Sequence, residues 1–153
     1  TMAAVAQVIK NRALDTVHFT DVNTITDVLI APGQYGSVYK VPGSGSGPTP
    51  GGGESTPPSG TRTYNIEGKG EYWVGNNHVS REANDTSRQV AQEVIDGTRQ
   101  DTVSAQMGKL ALYQVTLNSY PSHDSCCVEF GELYAHSWGC ITGSHQADSC
   151  TLP

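Results

Sequence analysis

Three residues of this chain, Gln34, Tyr35 and Trp73, have side chains suited to holding a sugar. The Pro32-Gly33 turn throws Gln34 and Tyr35 to one side. A tyrosine face stacks on a sugar ring, and a glutamine amide both donates and accepts hydrogen bonds. An ordinary turn with a half-buried tyrosine carries the same letters. Carboxylates beside aromatic residues come next. Glycoside cleavage needs a carboxyl that stays protonated near neutral pH, and an apolar wall raises its pKa for that purpose. Glu71 adjoins Tyr72 and Trp73; Glu129 and Glu132 flank Gly131, near Phe130, Tyr134 and Trp138. Each also reads as a plain solvated carboxylate, so the catalytic residue is left unknown. Gly43-Ser-Gly-Ser-Gly47 has the letters of a nucleophile elbow but sits in a linker-like run rather than at a strand-to-helix turn. The Gly-rich stretches lack a P-loop lysine, which leaves nucleotide binding unsupported.

The C-terminal tail gathers His123, Cys126, Cys127, His136, Cys140, His145 and Cys150. Cys140-x4-His145-x4-Cys150 matches the second half of a zinc-knuckle spacing, but Ser137 stands where the first cysteine belongs. Tetrahedral zinc needs four ligands, and disulfides are the favoured reading over a metal site. An even cysteine count in a chain of neutral-polar composition points to an oxidising compartment. A disulfide between adjacent cysteines strains the peptide between them. The expectation is therefore that Cys126 and Cys127 reach separately to Cys140 and Cys150. His18 and His78 read as surface or loop histidines. Asn84-Asp85-Thr86 is a glycosylation sequon, meaningful only in a eukaryotic secretory pathway.

The chain has 153 residues, 36% of them hydrophobic and 16% charged, which fits one domain, 1–153, with a modest core. The abundance of Gly, Ser, Thr and Asn is that of a secreted protein. A net charge of −6 leaves no basic face for phosphates, so nucleic acid is excluded as a partner, and docking on anionic lipid is disfavoured too. No apolar run reaches the roughly 20 residues needed to span a bilayer, so no membrane insertion is expected. No cofactor is implied.

These candidates need elements to position them. Residues 2–14 read as a helix with Thr1 as a plausible N-cap and an apolar stripe of Ala4, Val5, Val8 and Ile9, closed by Asn11-Arg12. Asn11 and Arg12 read first as a buried hydrogen-bonding pair joining helix end to loop, and second as substrate contacts. A short helix capped by Asp21 or Asn23 ends at Ile30, stopped by Ala31-Pro32-Gly33. Residues 42–61 are Pro, Gly, Ser and Thr almost throughout and read as a flexible insertion. Thr63–Ile66 and Tyr72–Val74 are short strands around the turn Glu67–Gly70. A helix starts near Asp85, carries Val90, Ala91, Val94 and Ile95, and ends at Gly97. Leu110–Leu117 is β-prone. Residues 118–153 are expected to be loops held by covalent links.

The stretch Met2-Ala-Ala-Val-Ala-Gln-Val-Ile-Lys-Asn-Arg12, followed by Pro32-Gly-Gln-Tyr35, resembles the first half of the spore cortex-lytic type of cell wall hydrolase. In that family a helix of the form A-V-A-x-V-I-x-N-R leads to a P-G-Q-[FY] turn. Val94-Ile95-Asp96-Gly97 resembles a later helix end, and Ile141-Thr-Gly-Ser-His145 resembles a closing glycine-histidine element. The resemblance implies an α+β fold: a small lysozyme-like helical core with a minor antiparallel sheet, here with a disulfide-stapled tail. It implies cleavage of peptidoglycan glycan strands by a lytic transglycosylase using one glutamic acid, in the extracellular space or the cell wall. That acid lies on a helix before Ala4 in the family, so no catalytic residue is carried over. The alternative is a non-catalytic secreted binding or structural subunit, built by self-assembly into an extracellular structure.

Overall fold

The computed structural model describes residues 2–17, 19–107, 110–116, 127–130 and 136–140, the last three stretches largely as backbone. In chain order the elements are α1 (Met2–Leu14), α2 (Ile25–Ile30), β1 (Val38–Lys40), β2 (Tyr64–Ile66), β3 (Gly70–Asn76), β4 (Val79–Ser80), α3 (Asp85–Asp96), α4 (Thr102–Met107), β5 (Ala111–Thr116), β6 (Cys127–Phe130) and β7 (His136–Cys140). The class is α+β with small antiparallel sheets, as expected. The described chain divides into two compact units. One comprises Thr1–Asp21 and Asp85–Pro153; the other is the continuous segment Val22–Asn84.

In the first unit α1 packs on α3 and β5. Its buried face is Ala4, Gln7, Val8, Asn11 and Arg12, so it turns from apolar to polar along its length. Val5 and Ile9, expected in the same stripe, are only half-buried. The reason is that Asn11 and Arg12 find backbone partners at β5, described below, which makes burial of polar groups tolerable. Helix α3 buries Val94 but leaves Ile95 exposed. It ends in a Schellman turn: Gly97 has φ 74°, its N–H donates to the Val94 carbonyl (3.2 Å), and the Thr98 N–H donates to the Glu93 carbonyl (3.0 Å). Lys10 Nζ on α1 donates to the same Val94 carbonyl at 2.7 Å, fixing the two helices to each other. The second sheet has strand order β5-β7-β6, antiparallel throughout, with an irregularity between Ala111 and Tyr113. Two strands thus stand inside the tail whose composition predicts loops. They are short, and long-range pairing stabilises them rather than a local pattern.

In the second unit β3 is the central strand, flanked by β1 and β2, and its end pairs with β4. The β2–β3 hairpin falls where the sequence placed it. The β3–β4 turn is Asn77-His78, both with positive φ (48° and 60°), the geometry of a two-residue hairpin turn. Helix α2 is capped by Thr24 rather than Asp21 or Asn23. Thr24 Oγ1 accepts from the Asp27 N–H (3.1 Å), and Asp27 Oδ2 accepts from the Asn23 N–H (3.3 Å). One sheet face packs Ile30, Val38 and Tyr72 with Tyr35 and Ile66. Tyr39 and Trp73, opposite each other on β1 and β3, stack with ring centroids 4.3 Å apart.

Residues 42–61 are attached to this sheet along much of their length. Gly52 N–H donates to the Val38 carbonyl, Lys40 N–H to the Gly53 carbonyl and Ser55 N–H to the Lys40 carbonyl, each near 2.9–3.0 Å, which pairs the run with the free edge of β1. Lys40 is only 5% exposed, and its Nζ donates to the Gly45 (2.8 Å) and Gly47 (2.6 Å) carbonyls. Tyr72 Oη donates to the Pro48 carbonyl (3.0 Å) and Trp73 Nε1 to the Ser55 carbonyl (2.8 Å). The run contributes few core side chains, Pro50 being buried, yet its backbone is held. A Cβ at Gly45 or Gly47 would sit 2.6 or 2.5 Å from the Lys69 carbonyl oxygen. The glycines are there because the backbone lies flush on the hairpin.

Candidate functional site

The Asn11-Arg12 pair that closes the resembling helix is a structural joint. Gln7 Nε2 donates to Asn11 Oδ1 (2.9 Å), which orients the amide. Asn11 Nδ2 then reaches the Ala111 carbonyl (3.0 Å), Asp101 Oδ2 (3.0 Å) and Ser104 Oγ (3.3 Å). Asp101 precedes α4 and accepts from the Ser104 N–H (2.9 Å) and hydroxyl (2.5 Å). Ser104 Oγ in turn accepts from the Ala111 N–H (2.9 Å). Arg12 Nε donates to the Leu112 carbonyl, and its guanidinium lies 4.9 Å from the Phe19 ring centroid. The end of α1, the start of α4 and the start of β5 are thereby tied at one point. The first of the two sequence readings of this pair, a buried joint, is the one its contacts describe.

The three predicted sugar contacts are placed differently from one another. Gln34 is exposed, with its N–H donating to the Ala31 carbonyl (3.2 Å). Tyr35 is half-buried against the Ile30, Val38 and Tyr72 cluster. Trp73 is 0% exposed. One face of its ring meets Tyr39 and its N–H is taken by Ser55. As the sheet stands Trp73 offers no surface to a ligand, its ring packed on Tyr39 and its N–H held by the Ser55 carbonyl. Tyr64, by contrast, is 40% exposed, and nothing in its sequence neighbourhood singled it out. It lies on an edge strand, whereas Tyr72, its cross-strand partner, lies on the central one.

Among the carboxylates, Glu71 is exposed beside buried Tyr72 and Trp73. Hydrogen bonds from Gln89 and Arg99 hold the Glu93 carboxyl below the usual range, and the hydrogen bond from Lys69 does the same for Asp27 despite partial burial. Both are the reverse of what a general acid needs. Burial pushes the Tyr72 phenol up. Glu129 lies on β6, described as backbone, and Glu132 lies outside the described residues. So do Cys126 and Cys150; Cys127 and Cys140 are placed on β6 and β7 by backbone only, opposite Gly139 and Ala111. His78 is exposed, its Nδ1 3.0 Å from Ser55 Oγ. His18, His123 and His145 fall outside the described residues, and His136 lies on the backbone of β7.

Two surface clefts lie among the described residues of the first unit. An apolar groove of about 290 Å³ runs between α1 (Met2, Val5, Ala6, Ile9) and α3 (Ser87, Val90, Ala91). A polar cleft of about 410 Å³ is lined by Ala3, Glu93, Thr98, Arg99, Gln100 and Thr102. Arg99 is paired there with Glu93 at 2.7 Å. No helix among the described residues is long and apolar enough to cross a membrane. No family model matches the chain, and no curated protein or solved structure matches it.

Proposed function

We propose that this chain is a secreted cell wall hydrolase-like domain acting on peptidoglycan glycan strands, of the lytic transglycosylase or muramidase type, outside the cell or in its wall. The reading rests on the resemblance of residues 2–35, and the observation that carries it is the use of those residues. The family-like Asn11-Arg12 ending fastens α1 to β5 and α4 through buried hydrogen bonds. The joint gives this helix a fixed place against β5, which is compatible with a packed helical core. The tail cysteines Cys126, Cys127, Cys140 and Cys150 would then be paired in two disulfides. In this chemistry one carboxylic acid protonates the leaving glycosidic oxygen and then acts as base while the sugar's 6-hydroxyl attacks. No residue of this chain is assigned that role.

The alternative is a non-catalytic secreted binding or structural subunit of an extracellular assembly; the Asp27 and Glu93 carboxyls, lowered chiefly by hydrogen bonds from Lys69 and from Gln89 respectively, are not suited to be the enzyme's acid. Incubating the chain with purified peptidoglycan separates the two. Release of soluble anhydro-sugar or reducing-end fragments supports the enzyme. Sedimentation with the polymer without release supports the binding subunit. Neither binding nor release overturns the glycan reading.

A further inference from the structure

We infer that the edge strand β2 carries the glycan contact, with Tyr64 as the stacking ring and Arg62 as the group that favours a sugar bearing a carboxylate; this rests on the glycan-binding reading above. The described rings of Tyr39, Tyr72 and Trp73 are buried, and Phe19 and Tyr35 are half-buried. Tyr64 is 40% exposed on the outer strand of the sheet. The Arg62 guanidinium lies 5.1 Å from the Tyr64 ring centroid, which steadies the ring. Val74 lies diagonally across from Tyr64 by the register of β2 on β3 and is also 40% exposed. The two exposed apolar groups share one sheet face, the kind of face that the C–H side of a pyranose covers.

Two further features suit a sugar. An edge strand leaves every second residue's peptide N–H and C=O unpaired, ready for hydroxyl groups. Arg62 is exposed and makes no ion pair with a described residue, in a chain of net charge −6. Its free N–H groups suit a carboxylate substituent, since a guanidinium fork matches that geometry. The ligand class is therefore a glycan strand that carries carboxylate substituents.

The test is titration of the full chain with two soluble probes, a neutral N-acetylglucosamine tetramer and a peptidoglycan glycan fragment carrying lactyl carboxylates. Circular dichroism checks each variant's fold. Tyr64→Ala is expected to weaken both probes at least about fivefold, the size of one lost stacking contact, while Tyr64→Phe binds as wild type. Arg62→Gln is expected to weaken the carboxylate-bearing probe alone. Wild-type affinity in a folded Tyr64→Ala overturns the proposal and leaves the glycan reading standing. Equal affinity of Arg62→Gln and wild type for the acidic probe overturns the assigned selectivity. Absence of wild-type binding to either probe, or to the whole polymer, overturns both the proposal and the reading.

Discussion

Asn11 shows how much one side chain can hold. It is 3% exposed and sits where three elements meet, its amide oxygen satisfied by Gln7 and its amide hydrogens by Asp101, Ser104 and the Ala111 carbonyl. Removing it leaves a buried carbonyl and a carboxylate oxygen short of a donor. That outcome is costlier than losing the bond itself. Asn11→Ala is expected to lower unfolding stability by about 2–3 kcal/mol, read as a drop in the denaturant midpoint at unchanged slope. An unchanged midpoint would mean the joint is dispensable. Trp73 makes the complementary point. Its aromatic side chain reads in the sequence as a sugar contact, and its stacking on Tyr39 and bond to Ser55 commit it to the core.

At the scale of elements, the run 42–61 behaves as an added edge of the sheet. The Gly47 N–H donates to the Lys69 carbonyl (2.6 Å) and the Gly52 N–H to the Val38 carbonyl (3.0 Å). Both amides are expected to exchange with solvent as slowly as those of β3; exchange at the rate of an open chain would refute the attachment. Gly47→Ala meets the Lys69 backbone and is expected to cost about 1–3 kcal/mol. Gly36→Ala finds open space and an ordinary backbone, and is expected to be neutral or stabilising by up to about 1 kcal/mol. Equal thermal shifts for the two would contradict the flush packing. The hairpin is also tied to α2 by the ion pair of Lys69 and Asp27. The Asp27 pKa is lowered in the folded state chiefly by the hydrogen bond from Lys69, so the unfolded state binds the proton more readily. The pair's stabilisation is therefore complete above the unfolded carboxylate range, near pH 4, and is lost as pH falls through the lower folded value. The stability difference between wild type and Asp27→Asn should shrink over that acid window. A difference that persists to low pH would show that the ion pair is not its source. Both groups are partly exposed, so the effect stays within about 1 kcal/mol.

At the scale of the whole molecule, the continuous unit Val22–Asn84 has its own sheet, its own cluster of Ile30, Val38 and Tyr72, and its own stacked pair. Expressed alone it is expected to give a dispersed amide spectrum and a cooperative but shallow unfolding transition, since domains of about 60 residues are marginal. A collapsed, random-coil spectrum would show that the unit depends on the rest of the chain. The acidic balance belongs to this scale as well: a net charge of −6 surrounds Arg62, which stands just before β2, with an acidic chain.

What the sequence determined by itself is whatever depends on near neighbours. Helices α1 and α3, the Gly97 stop, the β2–β3 hairpin and β5 all follow from periodicity, caps and turn residues within a few positions. The polar burial of Asn11 was readable too, because an asparagine at a helix end seeks backbone partners. Tertiary structure alone decided the rest. Gln7, Asn11 and Arg12 could be buried only because carbonyls of β5 and side chains from 101–104, some ninety residues away, arrive to meet them. The glycines of 42–61 look alike in composition whether they swing free or lie against a strand. Close approach of backbone to Lys69 and Val38 made them part of the sheet, in which Trp73 is buried on Tyr39 and Tyr64 stays on the open edge. Local pattern records what a segment prefers; only the packing of distant segments settles which polar groups are satisfied and which rings remain exposed.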